Sequence, residues 1–489
     1  MRIKKWNLLA CLLLAGAAAA QQKGAGLAAI REDDLKRDLY TLAGDHFRGR
    51  EAGTQDELNA AAWLAEQCRQ TGLQPAGDNG TYFQYFPLIR DRVSDESSIR
   101  IGGKKYELWK DVILFEPTRA HVNAPLLPVF SLANMDTLPV EGKAVVLQFS
   151  AEGIHNPMLK STRRYANIVI RDRVKRLAAR HPAAIIFVSD SAARQDWVRS
   201  LAYANRGTYH MDGGYYNAVI AKDIPLLWVD DLNLLYTQRS MLLDADIVTD
   251  HFLYPSVNVV AKQTGTDSKL KNEYVLFSGH IDHDGVRHLQ PGEDSIYNGA
   301  DDNGTVDVAL LAAGRAFHQQ PGRRSVLFVF HGAEERGLYG STWYAAHPTV
   351  PKEAIVAVLN GDMIGRNNID SAALLGMEPP HRNSQDLVNV ALAANAAGPR
   401  FKLDTAWDNP QHVEGWYFRS DHLPYARAGV PSVFFTTLLH PDYHTVRDEA
   451  STIDYKKLLK MTLWMYGTAR ILADQPRRPA VDPGFKLER

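Results

Sequence analysis

Histidine and carboxylate residues follow several apolar runs in the second half of the chain. Four such groups are His280 after residues 274–278, residues 331–335 after 325–330, Asp362 after 354–359, and residues 440–444 after 432–436. A fifth group, Asp301 and Asp302, stands just before a predicted helix. Ligands of open α/β sheets bind beyond the carboxyl ends of the strands, so the sequence predicts that these side chains meet at one edge of a sheet.

Imidazole and carboxylate donors without thiolate suit zinc in a catalytic site, where the protein ligands leave one position for water. Two histidines and three acids are enough for two metal ions when one carboxylate bridges them. Bridged metals lie ~3.5–4 Å apart and can stabilise both the attacking and the leaving atoms of a hydrolysis. The donor set therefore indicates metal-assisted hydrolysis.

Each of these residues also has a purely structural interpretation. A single His or Asp at a strand end is commonly a cap or a solvated loop residue. Glu334 and Glu335 are adjacent after a predicted buried strand, where two carboxylates repel each other unless a cation or a shared proton compensates. An exposed acidic turn is the alternative for this pair, and the convergence of five groups favours the metal site.

Predicted strands and helices alternate after residue 250, with helices over 306–317, 387–394 and 455–473 between or after the strands. Such alternation predicts an α/β fold in which a mostly parallel, mixed sheet is sandwiched by helices. Nearer the N-terminus, Thr54 to Glu57 has the pattern of a capping box and starts a helical pattern that ends at Gly72.

The sequence pattern changes between about residues 110 and 250, where short apolar runs such as 144–149, 183–188 and 224–229 are separated by polar turns. This pattern predicts an inserted β-rich domain. A chain of 489 residues also exceeds the size of one hydrophobic core. The predicted organisation is the N-terminal part of the α/β domain over 21–112, the insert over 113–249, the main α/β part over 250–475, and an irregular tail over 476–489.

The N-terminus has the three parts of a secretory signal: basic residues up to Lys5, an apolar run over 8–15 and small residues at 18–20. Residues 1–20 are therefore predicted to be a signal peptide of a periplasmic or secreted protein. Lipoprotein cleavage at Cys11 is not favoured, because five residues separate Lys5 from Cys11, too few for an apolar region. No later run approaches the ~20 apolar residues of a membrane span.

The overall charge argues against nucleic acid as a partner, and the cysteine count argues against a disulfide. Lys and Arg number 55 against 56 Asp and Glu, so no global field favours nucleic acid as a partner. Cys68 is the only cysteine after Cys11, so no intrachain disulfide is expected in the mature chain. Its helical spacing with Leu64 and Ala65 predicts a small buried core residue.

These stretches resemble the co-catalytic zinc aminopeptidases, which are peptidase family 28 of clan MH. That family includes secreted bacterial leucine aminopeptidases and the glutamate carboxypeptidase II branch. The resemblance spans nearly the whole mature chain and is carried by residues 47–54, 80–84, 278–283, 298–303, 332–337, 361–363, 419–424 and 443–448. The insert, through residues 140–143, is more weakly similar to a protease-associated domain.

The resemblance implies two Zn²⁺ ions per chain. Carried over residue by residue, it makes His280 and Asp362 ligands of one zinc and Glu335 and His444 ligands of the other, with Asp302 as the bridge. Asp302 is preferred over its neighbour Asp301 because the family's bridging acid directly precedes the position that Asn303 occupies here. The peptide bond between Asp302 and Asn303 is expected to be cis, as in relatives.

The resemblance also implies three catalytic positions. Glu334 takes the position of the general base, which accepts a proton from the attacking water and returns it to the leaving amine. Asp282 would accept the second imidazole N–H of His280. Tyr443 matches a tyrosine that hydrogen-bonds the oxyanion in some relatives, and packing beside the metal loop is the equal alternative.

Two further groups are close to these positions in sequence. Residues 419–422 match a family motif and are interpreted as support for the metal loops. His283, Asp284 and His331 match no metal position and are interpreted as structural or pocket-lining.

The function implied is that of an exported di-zinc aminopeptidase acting on peptides with a free N-terminus. A carboxypeptidase and a glutaminyl cyclase on the same fold are alternatives. The cyclases work with one zinc and would not need the full ligand set, whereas the carboxypeptidase branch has similar metal residues. A non-catalytic binding protein, as the transferrin receptor ectodomain is, would be expected to lose ligands, and none is missing here. The preferred side chain and the oligomeric state stay open.

Overall fold

The computed structural model describes Gly24, Gly292 and residues 26–211, 223–236, 241–287 and 294–487. The predicted signal peptide over residues 1–20 lies outside these residues, as does Cys11.

The helices of the described residues are α1 Glu32–Leu42, α2 Gln55–Thr71, α3 Thr162–Leu177, α4 Ser191–Arg194, α5 Trp197–Arg206, α6 Thr305–Gln319, α7 Tyr339–Ala346, α8 Gln385–Ala397, α9 His422–Arg427 and α10 Tyr455–Asp474. The strands up to residue 263 are β1 Gln74–Pro75, β2 Phe83–Val93, β3 Ser98–Ile101, β4 Lys104–Tyr106, β5 Val112–Leu114, β6 Ala120–Pro128, β7 Ala144–Gln148, β8 Ala184–Val188, β9 Thr208–His210, β10 Leu226–Val229, β11 Leu242–Ile247 and β12 Thr249–Gln263. The later strands are β13 Tyr274–His280, β14 Gly285–Val286, β15 Ile296–Tyr297, β16 Ser325–His331, β17 Ile355–Gly361, β18 Ser371–Leu375, β19 Lys402–Leu403 and β20 Ser432–Thr436.

The described chain forms two compact units. The first contains the residues up to 86, residues 255–287 and residues 294 onward, and the second contains residues 87–254. The composition shift predicts an insert from residue 113, whereas the second unit begins at residue 87. The intervening strands β3 and β5 pair with β11 and β10 of the second unit, and they are too short to give a clear periodic pattern.

The first unit is built on the mixed sheet that the sequence predicts. Its strands follow the order β19–β18–β20–β17–β13–β16–β12. The central strands β16, β13, β17 and β20 are parallel to one another, whereas β12 is antiparallel to β16 and β18 is antiparallel to β20. The predicted α/β sheet is therefore confirmed.

Helices cover both faces of this sheet, and the central strands are accordingly buried at nearly every position. In β13, Val275 and Phe277 pack with residues of α1, α2, α6, α8 and α10, whereas Leu276 packs on the opposite face. There it joins Tyr344 of α7 and Tyr425 of α9. Side chains alternate between the faces of a strand, so one strand contributes to both cores.

Helix α2 begins and ends where the sequence predicts. Thr54 is its N-cap and accepts a hydrogen bond from the Glu57 N–H at 3.5 Å, and Gly72 ends it with a left-handed φ of +87°. The capping box is only half formed, because the Glu57 carboxylate accepts the Gly53 N–H at 2.8 Å and is fully buried.

The second unit contains an eight-stranded sheet in the order β4–β3–β11–β6–β7–β8–β10–β5. Helices α3, α4 and α5 accompany it, so this unit has more helix than a β-rich insert would have. Trp228 of β10 lies at the centre of its core and contacts the rings of Phe149 and Trp197. In the part of the chain that the structure describes, none of the helices has both the length and the apolar character of a membrane span.

Candidate metal centre

The predicted donors come from the ends of adjacent strands of the first unit. His280 is the last residue of β13, Asp362 directly follows β17, and Glu334 and Glu335 lie in the loop after β16. His444 lies in the loop after β20. These four strands run parallel to one another, so their carboxyl ends meet at one edge of the sheet.

Several residues of these loops have an unusual backbone. Ala333, Met363 and His444 have φ values of +54°, +52° and +52°, in the left-handed region that residues other than glycine rarely adopt. Such residues cluster at functional sites, where the surrounding structure holds them. The peptide between Asp302 and Asn303 is cis, as the resemblance predicts.

One group of donors surrounds His280. Its Nε2 lies 3.3 Å from Asp302 Oδ1, 3.7 Å from Asp362 Oδ2 and 3.9 Å from Glu334 Oε2. Donors bound to one zinc at ~2.0–2.2 Å are separated by ~3–4 Å, so this spacing fits a metal ion. His280, Glu334 and Asp362 together could hold one.

A second group of donors surrounds Glu335. His444 Nε2 lies 3.1 Å from Glu335 Oε1 and 3.1 Å from Asp302 Oδ2. The two oxygens of Asp302 thus face different groups, with Oδ1 towards His280 and Oδ2 towards His444. This is the arrangement that a bridging carboxylate requires, and the structure brings together all five predicted ligands.

His283 belongs to the second group as well, although the sequence indicates a structural or pocket-lining role. Its Nδ1 lies 2.8 Å from Glu335 Oε1 and 3.9 Å from Asp302 Oδ2. Together with His444, these residues form a set that could hold a metal ion. The one sequence signal for a metal-binding role of His283 is its position directly after Asp282.

Asp301 has a different role from its neighbour. Its Oδ1 accepts hydrogen bonds from the Gly365 N–H at 2.6 Å and the Thr305 hydroxyl at 3.1 Å. Asp448 in turn accepts the N–H groups of Asp301 and Asp302, each at 3.0 Å. Asp301 therefore fixes the turn, which is consistent with Asp302 as the bridging residue.

The carboxylate of Asp282 binds the loop of Glu334 and Glu335. Its Oδ1 accepts the Glu334 N–H at 2.9 Å and its Oδ2 accepts the Glu335 N–H at 3.2 Å. The resemblance predicts this carboxylate at the second imidazole nitrogen of His280, but it lies 3.9 Å from Nδ1. The main-chain oxygen of Asp282 is closer to that nitrogen, at 3.0 Å.

Asp284 and His331 also orient neighbouring groups. Asp284 Oδ2 lies 3.3 Å from Nδ1 of His444 and can fix the orientation of that ring. The ring of His331 lies between the Asn258 side chain and the Tyr425 hydroxyl, each at 3.1 Å. Burial lowers the pKa of His331 to about 3, so this ring is neutral.

Tyr443 and Arg419 form a pair beside the second group. Arg419 donates to the Tyr443 hydroxyl at 2.8 Å and to the Glu414 carboxylate at 3.0 Å, and it lies over the ring of Trp416. The next residue, Ser420, accepts a hydrogen bond from Asn360 at the end of β17. These contacts fit the predicted supporting role of residues 419–422.

The carboxylates and imidazoles of the site strongly affect one another's protonation. Burial raises the pKa of Glu334 well above its usual range, and Glu335 and Asp362 raise it further. Burial opposes ionisation of Glu335 as well, but His444 and His283 lower its pKa to about 2. His280 keeps a pKa well above its ordinary value despite burial, because Glu334, Asp302 and Asp362 surround it. The protein thus concentrates negative charge in a buried space that a cation can neutralise.

An α/β sheet with imidazole and carboxylate donors gathered at its carboxyl edge is typical of zinc-dependent exopeptidases. The family model of peptidase family M28 matches residues 258–469, which include every predicted ligand. This part of the chain is therefore similar to the peptidases of family M28.

Several relatives match part of this chain in sequence. Aminopeptidase YwaD of Bacillus subtilis (strain 168) is 27% identical over 188 residues, which cover 37% of this chain and 39% of that protein. A probable leucine aminopeptidase 2 of Aspergillus oryzae is 30% identical over 163 residues, covering 33% of this chain and 30% of that protein. The chain thus spans well under half of the length of these relatives.

Solved structures share the fold over a longer part of the chain. An aminopeptidase from Aneurinibacillus sp. strain AM-1 has a TM-score of 0.60 at 18% identity, covering 94% of this chain and 97% of that one. BSAP, a zinc aminopeptidase from Bacillus subtilis, has a TM-score of 0.58 at 17% identity, covering 94% and 99%. At these identities the likeness shows the fold alone.

Proposed function

We propose that this protein is a zinc-dependent aminopeptidase that holds two Zn²⁺ ions and uses Glu334 as its general base. The observation that carries the proposal is the carboxylate of Asp302, whose two oxygens face two separate groups of donors 3.3 Å and 3.1 Å away. The M28 match over residues 258–469 and the relatives named as aminopeptidases support the same function.

His280 and Asp362 would hold one ion, Glu335 and His444 the other, and Asp302 both. When bound, the metal supplies Lewis-acid polarisation of the peptide carbonyl and lowers the pKa of water. Glu334 lies at the edge of the first group, 3.9 Å from His280 Nε2, where it can accept a proton from the attacking water and deliver it to the leaving amine.

The substrate we propose is a peptide with a free N-terminal amine. The relatives named as aminopeptidases support this substrate class. We therefore favour an aminopeptidase over a carboxypeptidase as the function of this protein.

The test is hydrolysis of three substrate classes: aminoacyl anilides, their N-acetylated forms, and peptides ending in a C-terminal glutamate. Chelated and zinc-restored wild type would be compared with Glu334→Ala and with the control Glu353→Ala, whose side chain is exposed. We expect zinc to restore cleavage of the free-amine substrates alone, and Glu334→Ala to keep its zinc but lose activity by ~10²–10⁴-fold. Release of C-terminal residues alone would establish the carboxypeptidase, and zinc binding without turnover would overturn both.

We also propose that the protein is exported, which rests on the signal-like pattern of residues 1–20. The measurement is the N-terminal sequence of the protein recovered from the periplasm or the medium of an expressing bacterium. A mature start near Gln21 supports export. A full-length chain retained in the cytoplasm contradicts it.

A further inference from the structure

The loop that carries Glu334 lies against two buried carboxylates. Asp282 accepts the main-chain N–H groups of Glu334 and Glu335, at 2.9 Å and 3.2 Å. The carboxylate of Glu57, from the first turn of α2, lies against Gly332 and interacts with the N–H of Ala333. Two buried carboxylates from distant parts of the sequence therefore hold this short segment.

The Glu57 carboxylate is itself fixed on all sides. It accepts the Gly53 N–H at 2.8 Å and the Ser256 hydroxyl at 2.7 Å, and the residue is fully buried. A Cβ atom at Gly332 would lie 2.5 Å from Glu57 Oε1, so glycine at that position allows the carboxylate to approach the loop. Glu57 thus supports the loop along with Gly53 and Ser256.

We propose that Glu57 is a positioning residue that sets the orientation of the general base, an inference that rests on the proposed function of Glu334. Ala333 has a φ of +54° and directly precedes Glu334, so a change at its N–H reorients the next side chain. Glu335 has additional partners in His283 and His444, at 2.8 Å and 3.1 Å, which keep its carboxylate in place. Loss of Glu57 should therefore affect proton transfer more than metal binding.

The substitution Glu57→Gln preserves the shape of the side chain but replaces one acceptor oxygen by an NH₂ group, which faces a donor. The matched control is Glu66→Gln in the same helix, where the glutamate side chain is 43% exposed and pairs with Arg69. We expect Glu57→Gln to lower kcat by ~10–100-fold, because small misplacements of catalytic groups have effects of that size. The KM and the zinc content should stay within about twofold of the control, since binding energy is shared by groups that Glu57 does not touch.

A double-mutant cycle separates positioning from general stability. If Glu57 acts through Glu334, Glu57→Gln has no further effect on kcat in the Glu334→Ala background. If Glu57→Gln lowers kcat by the same factor in both backgrounds, or leaves kcat unchanged as a single variant, the proposal is overturned.

Amide hydrogen exchange gives a readout that needs neither zinc nor activity. In chelated protein, Glu57→Gln should accelerate exchange in the peptide containing residues 333–335 relative to Glu66→Gln, whereas unchanged protection would contradict the proposed contact. If Glu57→Gln fails to fold, Ser256→Ala can replace it, because this change removes one hydrogen-bond partner of the Glu57 carboxylate. We expect Ser256→Ala to accelerate amide exchange in residues 333–335 and to lower kcat several-fold. Wild-type exchange together with wild-type kcat in Ser256→Ala would overturn the role of Glu57. A wild-type protein without peptidase activity would overturn the proposed function, and the exchange experiment would still decide whether Glu57 binds the loop.

Discussion

Asp302 is the residue on which the two donor groups depend, because each of its oxygens faces a different histidine. Asp302→Asn keeps the size of the side chain but removes its charge. We expect the zinc content to fall below two ions per chain and kcat/KM to drop by at least ~10²-fold, since a metal ion contributes several kcal/mol to transition-state stabilisation. Atomic absorption and steady-state kinetics measure both, with the exposed Asp33→Asn as control. Full zinc content and full activity in Asp302→Asn would show that Asp302 does not bind the metal ions.

Tyr443 has two possible roles, oxyanion stabilisation and packing. Its hydroxyl accepts a hydrogen bond from Arg419, which polarises the O–H bond and favours donation to a developing negative charge. We therefore expect Tyr443→Phe to lower kcat by ~10²-fold with little change in KM or Tm. A changed Tm with normal kcat would indicate that the tyrosine only packs beside His444.

Asp307 of α6 is a buried acid outside the proposed ligand set, and neither of its carboxylate oxygens has a hydrogen-bond partner among the described residues. Burial raises its pKa well above the usual range, although Arg50 and His280 oppose the shift. Because the folded-state pKa exceeds the unfolded-state value, stability falls as the pH rises from the unfolded value through the folded one. Asp307→Asn removes this titration, so in zinc-free protein the Tm of the variant should exceed that of wild type increasingly as the pH rises. A constant Tm difference over the same pH range would contradict this account, and Asp33→Asn serves as the control.

At the scale of elements, the segment before α2 connects two loops of the site through one side chain. Arg50 is fully buried, and its guanidinium donates to the carbonyl oxygens of Leu42, Ile281, Asn298 and Gly299 at 2.6–3.1 Å. Ile281 directly follows His280, and Gly299 lies three residues before Asp302. Arg50 therefore fixes the distance between two ligand-bearing loops.

Arg50→Met would leave these four buried carbonyl groups without their donor. Each unmade hydrogen bond of a buried group costs ~1–3 kcal/mol, so the free energy of unfolding should fall by roughly 3–5 kcal/mol after partial relaxation. Arg48→Met, two residues earlier, removes only an exposed side chain with a 3.4 Å ion pair to Asp56 and should change stability by less than ~1 kcal/mol. Urea unfolding of the two variants measures the difference, and similar midpoints would contradict the role of Arg50.

Sequence patterns predicted the elements better than the contacts between them. The strand at Ser432–Thr436 has the predicted bounds, and β13 and β17 each extend two residues past their predicted ends because His280 and Gly361 continue the ladder. Periodicity and the rule for strand ends are enough to gather the donors at one edge. His283, Arg50 and Glu57 have their contacts through tertiary packing, and no local pattern distinguishes such side chains from ordinary polar residues.

At the scale of the whole molecule, the second unit begins and ends at neighbouring points. The Ser94 N–H donates to the Val248 carbonyl oxygen at 2.8 Å, and the Ser97 hydroxyl lies 3.0 Å from the Val248 nitrogen. The segment between them contains a complete eight-stranded sheet with apolar cores of its own. Segments whose ends meet and whose core is internal commonly fold alone.

We therefore expect residues 94–248, expressed alone, to melt in one cooperative transition. Circular dichroism would follow the transition, and zinc or a chelator should leave its midpoint unchanged, because the proposed ligands all lie outside this segment. A disordered product would show that the segment needs the rest of the chain. A midpoint that responds to zinc would reveal metal ligands within it.

Cys68 lies fully buried on α2, and burial raises the pKa of its thiol. Reagents that modify cysteine attack the thiolate, so the folded protein should resist them for as long as the helix stays packed. Modification then requires the helix to detach, and its rate measures how often that happens under native conditions. The same helix carries Glu57. If residues 1–20 are removed on export as proposed, Cys68 is the one thiol that stays, and its rate of modification reports the opening of the helix that carries Glu57.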